Sequence, residues 1–186
     1  NVLNMLNLAG IPLYSEQRTN SDPLIIGGGP CVFNPEPLAP FFDLFMLGES
    51  EEALPNLMKR LASAKDKFSE RRDILKSLVS IDGVYEPSYY HPVYNNKIFV
   101  GMDRVEPEAP LSIKKNTIAD LDHDPVPLKP LVPYIQTVHD RAVVELFRGC
   151  GRGCRFCQAG YIFRPVRRRK KSAILKIAEN IIETTG

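Results

Sequence analysis

The sequence predicts an α/β protein made of partial domains, and three observations carry this prediction. Short apolar runs that end in glycine, at 23–29 and 43–48, alternate with helix-like segments. Six of the sixteen prolines fall between residues 106 and 133, which is typical of an extended connector. A strand candidate at 143–147 runs into a cysteine-rich loop that precedes an amphipathic helix. The alternation in residues 1–65 is typical of the C-terminal half of a doubly wound, Rossmann-like domain.

The first elements each have a recognisable start or end. Apolar residues within 2–8 approximate helical spacing, and Gly10 supplies a stop. The run at 23–26 predicts a buried strand that feeds a glycine loop. The run at 43–47 predicts a second strand, which leads into a helix that ends near Lys65.

Further elements are expected along the rest of the chain. A helix is predicted at 69–80, and irregular β structure at 85–100 with the two asparagines at 95–96 as a hairpin turn. The last helix is predicted to take Ser172 as its N-cap and Gly186 as its C-terminal stop. The cysteines therefore lie in a loop between a strand and a helix.

Composition bounds the class of protein. Of 186 residues, 44% are apolar and 25% are charged, which suits a chain that buries its own core. Residues 1–147 carry 14 basic and 20 acidic side chains, whereas residues 148–186 carry 10 basic and 2 acidic. The uneven cysteines and the lack of a signal peptide or membrane-spanning stretch predict a cytoplasmic protein rather than a disulfide-rich secreted one. The chain begins with Asn1 rather than Met, which suggests a fragment of a longer protein.

Three of the four cysteines lie within eight residues, as Cys150, Cys154 and Cys157 with the spacing C-x3-C-x2-C. A structural zinc site would need a fourth ligand, and neither His123 nor His139 has ligand-like spacing to the cysteines. A thioredoxin-type pair of Cys154 and Cys157 would leave Cys150 unexplained. Three thiolates suit an iron–sulfur cluster with one iron open to a substrate or cofactor. The zinc and redox-pair interpretations remain open as the weaker alternatives.

This cysteine motif, with the aromatic Phe156 directly before its last cysteine, resembles the radical S-adenosylmethionine (SAM) superfamily. The resemblance implies that Cys150, Cys154 and Cys157 hold a [4Fe-4S] cluster whose fourth iron chelates SAM, and that Phe156 packs beside the adenine. It implies reductive cleavage of SAM to begin radical chemistry on an unknown substrate, with an electron donor such as flavodoxin or ferredoxin as partner. It assigns no catalytic side chain here. The runner-up is a non-catalytic iron–sulfur protein that transfers electrons or binds RNA or another partner.

The N-terminal part is similar to the cobalamin-binding domain that often precedes such a barrel. The matching residues are Gly28-Gly29-Pro30, Pro35-Glu36, Asp43-x4-Gly48-Glu49-x-Glu51 and the connector Ile118–Asp122 with Pro125 and Pro127. This resemblance implies cobalamin as a second cofactor, with Gly28, Gly29 and Gly48 as the residues that approach it. The chain as a whole therefore resembles the cobalamin-domain subgroup of radical SAM proteins, whose reaction the residues do not name.

The two resemblances divide the chain into three parts. Residues 1–65 are predicted as a partial cobalamin-binding-like α/β domain, 66–137 as a helical/β and Pro-rich connector, and 138–186 as the first β/α unit of a radical SAM (β/α) barrel. Because the rest of such a barrel would follow residue 186, this chain alone is expected not to turn over.

Other conspicuous residues receive structural interpretations. Cys31, in an apolar neighbourhood, is predicted as a small buried residue. His91, His123 and His139 are scattered and are predicted as surface or connector residues. The basic run 164–171 is either a solvated loop or an electrostatic footprint for nucleic acid, although no aromatic residue interleaves it.

Overall fold

The chain forms two compact units, Asn1–Thr117 and Ile118–Gly186. The computed structural model describes residues 1–123, 126–131, 133–135 and 143–185. Helices and short strands occur in both units, which confirms the mixed α/β class. The predicted three-part division of the chain stays a prediction, and its second boundary, between residues 137 and 138, lies outside the described residues. Among the described helices, none is long and apolar enough to cross a membrane.

The first unit contains most of the regular structure. Its helices and strands are α1 (Val2–Leu8), β1 (Ile26–Gly27), β2 (Leu44–Met46), α2 (Ala53–Lys67), α3 (Arg71–Leu78), β3 (Val84–Tyr85), β4 (Tyr90–Asn95) and β5 (Ile98–Arg104). The predicted α1, α2 and α3 are confirmed. The two predicted strands are also confirmed, but β1 is limited to the last residues of its apolar run.

A three-stranded sheet in the order β1-β2-β3 forms the centre of the first unit. β1 and β2 are parallel, with Gly27 opposite Phe45, whereas β3 is antiparallel to β2, with Tyr85 opposite Phe45. Successive side chains of a strand point to opposite faces. Leu44 and Met46 accordingly join α2 and α3 in one apolar cluster, while Phe45 packs in a second cluster on the other face.

The connection from β1 to β2 differs from the helix that a doubly wound fold would place there. It consists of two 3-10 segments, Pro30–Phe33 and Glu36–Phe41. Proline lacks the backbone N–H that an α-helix needs and clashes with the preceding turn, and Pro35, Pro37 and Pro40 all fall within this connection. The described strands therefore show an α/β sheet without showing the doubly wound topology or the predicted link to a cobalamin-binding half-domain.

A buried ion cluster fixes the start of β2. The Asp43 carboxylate accepts hydrogen bonds from Arg18 Nη1 at 2.9 Å and from the Ile25 amide at 2.7 Å. Arg71, in the first turn of α3, makes a second ion pair with Asp43 at 2.9 Å. The side chains of Arg18 and Asp43 are only 0% and 2% exposed. One carboxylate thus links the segment around Arg18, the sheet and α3.

The predicted hairpin is formed by β4 and β5, which pair antiparallel. Its turn lies one residue later than predicted, because Asn96 and Lys97 adopt φ of 47° and 67°. Positive φ at both central residues is the geometry that matches the twist of a two-residue hairpin.

The second unit contains a short antiparallel ribbon of two strands. Its elements are β6 (Phe147–Arg148), α4 (Ala159–Ile162), β7 (Arg167–Arg168) and α5 (Lys171–Thr185). The strand predicted at 143–147 is shorter than expected, since β6 comprises Phe147 and Arg148, which pair with Arg168 and Arg167. α5 starts at Lys171, so Ser172 lies inside the helix and is not its N-cap. The predicted stop, Gly186, lies outside the described residues.

Candidate metal centre

The strand that feeds the cysteine loop is braced by a carboxylate between two guanidinium groups. Arg148 Nε lies 2.8 Å from Glu145 Oε1, and Arg169 Nη2 lies 3.2 Å from Glu145 Oε2. The hydrogen bond from Arg148, more than any other interaction, lowers the pKa of Glu145 below its ordinary value. Arg169 is buried and also donates to the Leu121 carbonyl. This brace holds the chain directly before Cys150.

Two glycines of the loop adopt a backbone conformation that other residues rarely take. Gly149 has φ of +94° and Gly153 has φ of +67°, the left-handed region that favours glycine. A Cβ on Gly149 would lie 2.5 Å from the carbonyl oxygens of Phe163 and Pro165. The segment after α4 therefore packs directly against the loop at this glycine. The Tyr161 hydroxyl donates to the Gly153 carbonyl at 3.2 Å.

The three predicted ligands are all free thiols on this loop. Cys154 is exposed, whereas Cys150 and Cys157 are partly buried, and the Cys157 amide donates to the Cys154 carbonyl at 3.0 Å. In the part of the chain that the structure describes, no three His, Cys, Asp or Glu side chains lie close enough to share a metal ion. The loop thus presents three thiols without drawing them together, and Phe156 beside them is 92% exposed.

The donor set fits an iron–sulfur cluster. Cys thiolates are the ordinary protein ligands of such clusters, and all three sulfurs are free of disulfides. Gly149 and Gly153, in the left-handed conformation, shape the loop that presents these thiols. His139, weighed as a further zinc ligand, lies outside the described residues, and His123 is 84% exposed against Asp120. The exposed positions of His91 and His123 agree with the predicted surface or connector roles.

The three glycines predicted to approach cobalamin lie in two different environments. A Cβ on Gly28 or Gly29 would meet nothing within 4 Å, so the backbone after β1 borders open space. A Cβ on Gly48, after β2, would lie 2.2 Å from the Asn116 carbonyl oxygen, and the two residues form a β-bridge. The close approach at Gly48 is thus made by the protein itself. Its role toward a cofactor stays a prediction.

Cys31 lies next to this edge, and the prediction that it is buried is wrong. Its residue is exposed in the 3-10 segment Pro30–Phe33. The apolar side chain of that segment that faces inward is Val32, which is 7% exposed and packs with Phe45. In a 3-10 helix neighbouring residues point in different directions, so an apolar neighbourhood in sequence does not bury each of its members.

Comparison with known families and proteins shows what this chain is similar to. Residues 1–87 match the family model described as "Radical SAM proteins, N-terminal". The radical SAM superfamily is thus the family that the N-terminal part of this chain matches.

Two curated proteins are similar to this chain. An uncharacterized protein of Methanocaldococcus jannaschii is 29% identical over 169 residues, covering 88% of this chain and 29% of the relative. The anaerobic magnesium-protoporphyrin IX monomethyl ester cyclase of Cereibacter sphaeroides is 26% identical over 149 residues, covering 80% of this chain and 21% of that protein. The chain thus spans less than a third of the length of either relative. No solved structure matches.

Sequence reasoning missed the long-range contacts around the cysteine loop and around Gly48 rather than the loop itself. Glu145 and Arg169 are separated by 24 positions, and Asn116 lies 68 positions after Gly48. Nothing in the local pattern connects them. The density of arginine around the cysteines is visible in the sequence, but it does not reveal that Arg148 is bound to Glu145.

Proposed function

We propose that the intact protein is a radical SAM enzyme in which Cys150, Cys154 and Cys157 hold a [4Fe-4S] cluster and SAM binds at its open iron. The observation that carries the proposal is the loop of three free thiols, in C-x3-C-x2-C spacing, in a chain whose N-terminal part matches this superfamily. The substrate and the class of radical reaction are outside the proposal. The electron would come from a donor such as flavodoxin or ferredoxin.

The residues of this chain have distinct tasks in that proposal. The three thiolates supply three of the four ligands of a cubane cluster, so that one iron remains for SAM. When bound, such a cluster supplies the electron that breaks a carbon–sulfur bond of SAM. Gly149 and Gly153 allow the left-handed turns of the loop that carries the thiols, and the brace of Glu145, Arg148 and Arg169 holds the chain directly before that loop. Phe156, exposed on the loop, is available to pack against the adenine.

The test uses the intact protein purified without oxygen. We expect about four irons and an equal amount of sulfide per chain, and 5′-deoxyadenosine after addition of SAM and dithionite. Cys154→Ala should lose iron and cleavage, whereas the matched variant Cys31→Ala, which also removes an exposed thiol, should retain both. Bound zinc in place of iron would overturn the proposal. A filled cluster without SAM cleavage would instead assign the protein to the iron–sulfur electron carriers.

We further propose that the intact protein binds cobalamin at the edge formed by Gly28 and Gly29. The support is the open space beside these two glycines, at the carboxyl end of a strand in a parallel pair, where α/β sheets bind ligands. Gly28→Leu would place a bulky side chain into that space and should abolish retention of hydroxocobalamin, followed by its visible absorbance. Gly101→Leu, at a second glycine with open space, is the matched control. Equal retention by both variants would contradict this site.

A further inference from the structure

The basic run from Arg164 to Lys171 is divided by the structure into inward and outward charges. Arg167 donates to the carbonyls of Pro165 and Ile118, and Arg169 is buried against Glu145 and Leu121. Arg168, between them, points to the exposed face of the β6–β7 ribbon because strand side chains alternate. The predicted solvated loop is therefore partly a structural strand, and its cations divide into buried or half-buried ones and exposed ones.

The outward cations outnumber the carboxylates near them. Arg168 and Lys171 are exposed, and the Lys170 side chain is 75% exposed with its ammonium group 3.5 Å from Asp122. Glu145, the carboxylate on the chain before the ribbon, already binds two arginines. Within the described part of the second unit this surface therefore carries an excess of positive charge.

Two arginines of the run each lie beside a partly exposed aromatic ring, which the sequence did not reveal. Phe147 is directly opposite Arg168 in the ribbon, so the two share a face, and Phe147 is 57% exposed. The Arg164 guanidinium lies 4.9 Å from the centroid of the Tyr161 ring, and Tyr161 is 49% exposed. No aromatic residue lies inside the basic run itself. The rings beside its arginines are supplied by β6 and α4.

We infer that this basic–aromatic face, defined as Phe147, Tyr161, Arg164, Arg168, Lys170 and Lys171, binds single-stranded nucleic acid. Clustered Lys and Arg attract the phosphate backbone, and exposed rings give unpaired bases a surface on which to stack. An acidic polypeptide would satisfy the charges but would leave the exposed ring of Phe147 without a stacking partner. The pairing of Phe147 with Arg168 on one face therefore favours nucleic acid, and the acidic polypeptide is an outcome of the test.

The experiment measures binding of the intact protein to a fluorescein-labelled single-stranded RNA of about 20 nucleotides by fluorescence anisotropy. A DNA strand of the same sequence distinguishes the two nucleic acids, and poly-L-glutamate serves as competitor. Salt is varied between about 50 and 200 mM. The cluster is not needed for this measurement, so its result is separate from that of the proposed enzymatic function.

Binding to either nucleic acid that weakens with salt, with a log–log slope near −2 for about three phosphate contacts, is the expected result. Arg168→Glu with Lys171→Glu should weaken binding about tenfold or more and make the slope shallower by about one. The matched control, Lys65→Glu with Lys67→Glu at the end of α2, changes the net charge equally and should bind as the parent does. Far-UV circular dichroism establishes that both variants are folded.

A second variant keeps the test informative if the charge variant does not fold. Phe147→Leu preserves an apolar side chain but removes the ring, and should weaken binding about fivefold. Phe99→Leu, at an exposed ring in β5, should have no effect. The inference is overturned if the chain does not bind at low salt, if the control charge variant weakens binding as strongly, or if Phe147→Leu is without effect while poly-L-glutamate competes as well as RNA does.

Discussion

The two units of the chain use their side chains in opposite ways. In the first unit, Leu44, Leu57 and Leu78 are fully buried between the sheet and its helices. In the described part of the second unit, the long helix α5 buries Ile177 and Ile181 but leaves Leu175 49% and Ile182 62% exposed. The first unit therefore obtains its stability from a core of its own. The second holds its thiol loop by a few ion pairs and by close backbone contacts at glycine.

Replacing a carboxylate in each unit should give the largest difference in the free energy of unfolding between the two units. Asp43→Asn leaves Arg18 and Arg71 without their counter-charge, and breaking a buried pair in this way costs about 3–5 kcal/mol. Asp122→Asn, in the second unit, removes the charge that pairs with the exposed Lys170 ammonium group but keeps an oxygen that can accept from the Lys170 amide, and should cost about 1 kcal/mol. Urea unfolding followed by far-UV circular dichroism measures both. Equal losses would show that the Asp43 cluster does not stabilise the first unit.

Truncation of one leucine in each unit compares the cores directly. Leu57→Ala in α2 removes a fully buried side chain and should lower the free energy of unfolding by about 2–5 kcal/mol. Leu175→Ala in α5 removes a half-exposed one and should cost less than about 1 kcal/mol. The same urea experiment applies. A large loss at Leu175 would mean that its exposed part packs against something in solution, such as a second copy of the chain.

The sequence revealed the first unit better than the second for a physical reason. In β2 and α2 the apolar period agrees with the element, because Leu44, Met46, Leu57 and Leu61 all face one core. In the second unit a strand of two residues is fixed by pairing with Arg167 and Arg168, which no period predicts. The cysteine motif could nevertheless be recognised from the sequence, since ligand spacing along a loop is a local property. Its support from Glu145 and Arg169 was not, because that contact is long-range.

Two glycines of the predicted cofactor edge should respond differently to the same change. Gly48→Ala puts a Cβ into the backbone of Asn116 at φ of +99°, and should cost about 2–3 kcal/mol. Gly28→Ala meets no atom within 4 Å and should leave stability within about 1 kcal/mol. Thermal unfolding followed by circular dichroism compares them. If both were neutral, the contact between Gly48 and Asn116 would not exist in solution.

The smallest expected effect concerns pH and has opposite sign at two glutamates. Burial, only partly offset by hydrogen bonds from Ser88, raises the pKa of Glu86 to about 7. The unfolded chain then loses this proton at lower pH than the folded chain, so Glu86 stabilises the fold less as pH rises from about 5 to about 8. For Glu145, whose pKa is lowered by Arg148, stability is instead lost as pH falls below its ordinary value.

Glu86→Gln isolates the first of these effects. The variant retains a side chain that Ser88 can contact but cannot ionise, so its free energy of unfolding should no longer decline between about pH 5 and pH 8, a difference on the order of 2 kcal/mol at the upper end. Glu16→Gln, at an exposed glutamate, should keep the decline of the parent. The carboxyl groups of Asp22, Glu108 and Asp120 have a pKa below the ordinary value, so their titration lies below this pH range and does not obscure the comparison. Parallel declines in both variants would place the titrating group elsewhere and remove Glu86 as the cause.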